Sequence, residues 1–160
     1  MTTLWKPLTI CLLLGFLSIQ LKAQVIYVDS AAAGLGNGTN WSNAYPRLEL
    51  ALAATVPGDS VWVANGTYYP TTTTTRTISF VLPDGVVIMG GFAGGESSAC
   101  QADPVANPTV LSGDIGVLGD STDNSYHVLY RWNLLQNTTL DGFVVRDGVA
   151  NGTTYLHQRG

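Results

Sequence analysis

Beyond residue 22 this chain has no lysine, and cysteine is almost as scarce, with only Cys11 and Cys100. Histidine occurs twice, at 127 and 157, and charged residues make up only 11% of the chain. Each scarcity excludes something. With Cys100 as the only cysteine past residue 23, no internal disulfide can form there, so the fold must hold by packing and backbone hydrogen bonding. There is no CxxC and no His–Cys grouping with zinc spacing. Past residue 23, five arginines stand against eleven acids, a net charge of −6. Without a basic patch, nucleic acid and anionic lipid are poor partners.

What is present begins with a leader. Lys6 precedes an apolar run at residues 8–19 (LTICLLLGFLSI), and Ala23 offers a small residue before Gln24. This is the three-part layout of a secretory signal peptide, assigned to residues 1–23. The run is shorter than the roughly 20 residues of a membrane span. Cys11 lies inside it without small residues before it, which argues against a lipid-anchored cysteine. The expected protein is exported, with no membrane span once the leader is removed.

Residues 24–160 carry a recurring unit of β-branched or aromatic residues closed by a glycine turn. It appears at 60–66 (SVWVANG), 86–92 (VVIMGGF), 109–114 (TVLSGD) and 139–148 (TLDGFVVRDG). Glycines 66, 91, 113 and 142 are spaced 25, 22 and 29 residues apart. Uneven spacing of this size suits a solenoid whose coils carry their own loops. One helix is expected, at about residues 44–54. Leu48, Ala51, Leu52 and Thr55 fall on one face, Ser42 or Asn43 caps the start, and Pro46 sits in the first turn. Its apolar face suits a lid over the end of a solenoid core. Further strands are expected at 25–30, 78–82 and 127–132, and the threonine run 71–75 as a loop or edge excursion. An antiparallel sandwich is the rival architecture. No polar cap follows Gly148, so the chain is expected to be the front of a longer solenoid that can self-associate through its open C-terminal coil.

A set of residues in fixed order adds to this. Tyr27-Val28-Asp29, Gly36–Gly38, Trp41, Asn43-Ala44-Tyr45 and residues 58–64 (GDSVWVA) come first. Gly66-Thr67-Tyr68, Arg76, residues 90–94 (GGFAG), Glu96, residues 111–115 (LSGDI), 123–128 (DNSYHV) and 140–143 (LDGF) follow. Together they resemble the amino-terminal segment of large secreted right-handed parallel β-helix proteins of Bacteroidetes-type bacteria, in the pectin-lyase-like fold group. The resemblance implies an all-β right-handed parallel β-helix start with one capping helix, export, and a surface or extracellular place. It carries over no catalytic residue.

Four oxygen-bearing residues gather in the loop 113–125: Asp114, Asp120, Asp123 and Asn124. Calcium takes six to eight oxygens, often from such loops, which makes this a candidate calcium loop. Turn formation by the same side chains is the competing role. Asp141 and Asp147 are the nearest approach to a paired-carboxylate site. Trp41, Trp62, Tyr68, Tyr69 and Trp132 suit sugar stacking if exposed in a row, and packing if buried. His127 reads as a packed residue. No complete catalytic constellation is visible. The favoured function is a non-catalytic secreted or cell-surface scaffold, adhesin-like, with extracellular polysaccharide or surface components as partners. The alternatives are part of a polysaccharide lyase or hydrolase whose site lies on other coils, and a carbohydrate-binding module.

Overall fold

The structure, a computed structural model, describes residues 22–132 and 135–153. Nearly all of the expected leader, and the stretch with His157, lie outside the described residues. The elements run β1 (Val25–Val28), α1 (Leu48–Ala54), β2 (Ser60–Ala64), β3 (Gly66–Tyr68), β4 (Phe80–Val81) and β5 (Val87–Phe92). Then come β6 (Thr109–Ser112), β7 (Leu129–Tyr130), β8 (Thr139–Asp141) and β9 (Phe143–Arg146), with 3-10 turns at Trp41–Asn43 and Ala99–Gln101. Every strand pair is parallel. The strands form three sheets, ordered β1-β2-β5-β8, β3-β6-β9 and β4-β7.

Side-chain alternation along a strand explains the packing. In the largest sheet Ile26, Val61, Ile88 and Leu140 stand in register, forming one apolar column. Val28 beside Val63 extends it. Tyr68, Leu111, Phe80, Val86 and Val128 close the same core. The intervening residues face the other way, where Tyr27 pairs with Trp62. That outer face is covered too: Trp62 stacks on Phe92 with centroids 4.9 Å apart, and Trp41 packs edge-on to Tyr27 at 4.8 Å. Val61, Val63, Val86 and Ile88 therefore share one core among parallel strands, with Leu140 packed against it.

The helix is shorter than its apolar periodicity predicts. It starts at Leu48, behind Arg47, which makes no side-chain cap. The expected cap Asn43 is engaged elsewhere, its Oδ1 accepting from Leu35 N at 3.0 Å, while Asn40 caps the 3-10 turn. The buried face is as expected, with Leu48, Ala51 and Leu52 packed into the core. The unit at 139–148 breaks at Gly142 into β8 and β9, which belong to different sheets. Gly142 has φ +76°, and a Cβ there would lie 2.8 Å from the Gly90 carbonyl. The two glycines let these backbones touch.

The fold class needs correction. An all-β right-handed parallel β-helix is not what these residues form. They make three small, separate sheets of short parallel strands combined with an α-helix, a small mixed α/β arrangement. The reason lies in how the glycine-closed units pair. The 109–114 unit does not stack on the 86–92 unit; β6 pairs with β3, and β5 takes β8. Paired residues Val25, Ser60, Val87 and Thr139 are 35, 27 and 52 positions apart, so the near-regular step read from the glycines is not the step of the sheet. The intervening chain is mostly loop. The threonine run, for example, folds on itself: Thr71 Oγ1 accepts from Thr73 N and Thr73 Oγ1 from Thr75 N.

The turn into β2 depends on Asp59, which is fully buried. Its carboxylate accepts from Gln24 N at 3.1 Å and Val56 N at 2.9 Å, tying the start of β1 to the end of α1. Asp59→Ala leaves both donors without their acceptor and is expected to cost about 1–3 kcal/mol. Asp59→Asn, which keeps an acceptor oxygen, should cost less. Urea denaturation midpoints check the order. Leu52→Asp places a charge against the core and is expected to cost about 3 kcal/mol or more in the same assay. A tolerated aspartate would contradict the placement of α1.

Candidate binding site

A cavity of about 370 Å³ lies where three segments meet: the start of α1, the chain running out of β3 to Thr72, and residues 114–118. Each wall is fixed by local structure. Tyr68 is anchored by its hydroxyl, which donates to the Ala64 carbonyl at 3.0 Å. Burial pushes its phenol up to about 12, although hydrogen bonding with Ser30 pulls the other way. On the α1 side Arg47 and Glu49 form an ion pair through Glu49 Oε1. Glu49 Oε2 is buried and has no hydrogen-bond partner. On the third wall both Asp114 oxygens accept from Gly119 N, at 2.9 and 3.0 Å, closing the loop from 114 to 119. Ile115 is buried beneath it, while Leu118 remains exposed at the rim.

The candidate calcium loop is not drawn together around a common point by its contacts. Asp114 holds Gly119, Asp120 holds the backbone and hydroxyl of Thr122, and Asp123 Oδ2 accepts from Val117 N at 2.8 Å. Asn124 turns away and donates to the Asp147 carbonyl at 2.9 Å. No group of three or more His, Cys, Asp or Glu placed to hold a metal occurs among the described residues. The hydrogen bonds follow the turn-forming role. Asp141 and Asp147 lie on different structures: Asp141 ends β8, whereas Asp147 follows β9 with φ +65° and accepts from Ser112 Oγ at 2.7 Å.

The aromatics do not form an exposed row. Trp62 and Tyr68 are buried, and Trp41 is tied down by its indole N–H donating to the Glu96 carbonyl at 2.8 Å. Trp132, 75% exposed, lies outside the cavity, and of the five only Tyr68 and Tyr69 line it. His127 lines a second, shallower concavity with Arg146 and Asp147. Cys100 is exposed.

Sequence reading overlooked Arg47 and Glu49. An Arg followed two positions later by Glu has no helical spacing to flag it, and the pair forms only because Arg47 lies just outside α1. It also overlooked how Arg76 works: its guanidinium donates to the Asn124 carbonyl and Asn151 Oδ1 and lies 4.3 Å from the Tyr126 ring centroid.

No protein-family model, curated protein or solved structure matches this chain.

The carboxylates share a pattern. Among the described residues ten of the eleven accept hydrogen bonds, eight of them from backbone amides: Asp29, Asp59, Asp84, Glu96, Asp103, Asp114, Asp120 and Asp123. Glu49 and Asp147 instead take the Arg47 guanidinium and the Ser112 hydroxyl. Glu96 collects three, from Ala93, Gly94 and Gly95. Burial opposes its charge, but these amides outweigh burial and hold it below its ordinary value. Asp120 is likewise held below its ordinary value, chiefly by the Thr122 hydroxyl. A depressed folded value means that the unfolded chain binds the proton more readily. Glu96 therefore contributes stability above the unfolded value and loses it as pH falls through the folded one. Glu96→Gln is expected to flatten the acid side of the melting-temperature profile, from about pH 5 downward, relative to the parent. An unchanged profile would contradict the role given to Glu96.

Proposed function

We propose that this is a non-catalytic exported protein, a secreted or cell-surface scaffold of adhesin-like character that meets extracellular polysaccharide or surface components. The observation that carries the reading is the engagement of its carboxylates. General acid–base chemistry on sugars needs two carboxyl groups aimed at one bond, one of them kept protonated. Here eight of the eleven acids accept from backbone amides, and Glu96 and Asp120 are held below their ordinary values. The net-negative, lysine-free chain past residue 23 also suits poorly the attraction of polyanions or the stabilisation of their carboxylates.

Export rests on the leader-like residues 1–23 and on the resemblance to secreted proteins carried by the ordered set from Tyr27 to Phe143. Among the described residues no helix is long and apolar enough to cross a membrane. Self-association belongs to the same reading. β7, β8 and β9 are each the outer strand of their sheet, and Tyr130, Val144 and Val145 on them are exposed. Such edges favour pairing with another chain.

The test is incubation of the purified protein with pectin, alginate and neutral plant and bacterial polysaccharides, followed by reducing-end and unsaturated-product assays. No product above the buffer rate is expected. Turnover that disappears in Glu49→Gln or Asp114→Asn would overturn the reading.

A further inference from the structure

We propose that the cavity between α1, β3 and residues 114–118 binds a neutral, hydroxyl-rich ligand, a sugar ring presented free or at the end of a saccharide chain. The argument starts from charge. The cavity holds one cation, Arg47, and two acids, Glu49 and Asp114. Arg47 neutralises Glu49, and Asp114 turns both oxygens to the Gly119 amide. The lining keeps one negative charge, on Asp114, whose oxygens are turned to its own loop, and offers no unpaired cation to select an anion. What remains for a ligand is the hydroxyls of Thr67 and Tyr69 and the buried carboxylate oxygen Glu49 Oε2, which lacks a donor.

A buried acceptor with no partner is costly, and a ligand hydroxyl that donates to it removes the cost. Leu48, Ile115 and Leu118 supply an apolar part of the lining. A sugar ring offers the matching division, with C–H faces for the apolar wall and O–H edges for the polar one. The volume lies within the roughly 300–1,000 Å³ of small-molecule sites. This differs from a surface aromatic strip: binding is into a concavity, with Tyr69 as its accessible aromatic wall.

The inference rests on the non-catalytic reading only in treating Glu49 and Asp114 as binding groups. The experiment separates the two. Backbone amide shifts of the labelled protein are followed by NMR during titration with glucose, galactose, xylose, N-acetylglucosamine and cellobiose, with galacturonate and choline as charged comparisons. At least one neutral sugar is expected to move the amides of Glu49, Tyr69 and Gly116. Arg47→Gln and Tyr69→Ala, each checked for an unchanged melting profile, should weaken binding at least tenfold, whereas Trp132→Ala should leave it unchanged. Absence of shifts with every neutral sugar, preference for choline or galacturonate, or full binding by both folded variants would overturn the proposal. Binding accompanied by breakdown of cellobiose would keep the site and overturn the non-catalytic reading.

Discussion

A parallel strand in the middle of a sheet has two faces and must find cover for both. Ser60–Ala64 meets that demand, and the rest of the molecule is arranged around it. Val61 and Val63 face the core with Ile26, Val28 and Ile88, while Trp62 faces outward under Tyr27 and Phe92. The strand is therefore apolar on both sides, and a one-residue slip would exchange its valines for the tryptophan. Register, once set here, sets the column from Ile26 to Leu140. It also places the chain that leaves β2 for β3, which forms one wall of the cavity.

Short strands leave long loops, and loops leave backbone amides to be answered. The scarcity of basic side chains shapes the answer. With few cations present, most acids turn to N–H groups, as Asp59, Glu96, Asp103, Asp114 and Asp123 do. These bonds are charge-assisted and stronger than neutral ones. The carboxylates thus supply to the loops an order that ladder hydrogen bonds supply to the strands. The cavity near α1 keeps one spare acceptor, Glu49 Oε2.

Much of the local structure was legible. Residues 60–64 read as a strand from their β-branched and aromatic content, and Leu48, Ala51 and Leu52 read as a buried helical face from their spacing. The global arrangement was not. Glycines 66, 91, 113 and 142 look like one repeated stop, but they serve different ends: Gly91 and Gly142 are backbone contacts, whereas Gly66 opens a strand in another sheet. Glycine marks where the chain turns and says nothing of which strand it meets next. The oxygen-rich loop 113–125 is ambiguous for a related reason, since Asp and Asn favour turns and metals alike. The cavity was nearly invisible because its walls come from segments far apart in the chain, and Arg47 and Glu49 carry no motif.

The central claim is that carboxylates hold the loops in place. Amide hydrogen exchange tests it most directly, with protection factors for the Val56, Gly94, Val117 and Gly119 amides measured at neutral pH and again where carboxylates are protonated. Their partners are Asp59, Glu96, Asp123 and Asp114. The account predicts protection at neutral pH that falls on acidification before the amides of β2 and β5 lose theirs. Amides that exchange freely at neutral pH, or whose protection ignores the protonation of their partners, would contradict it.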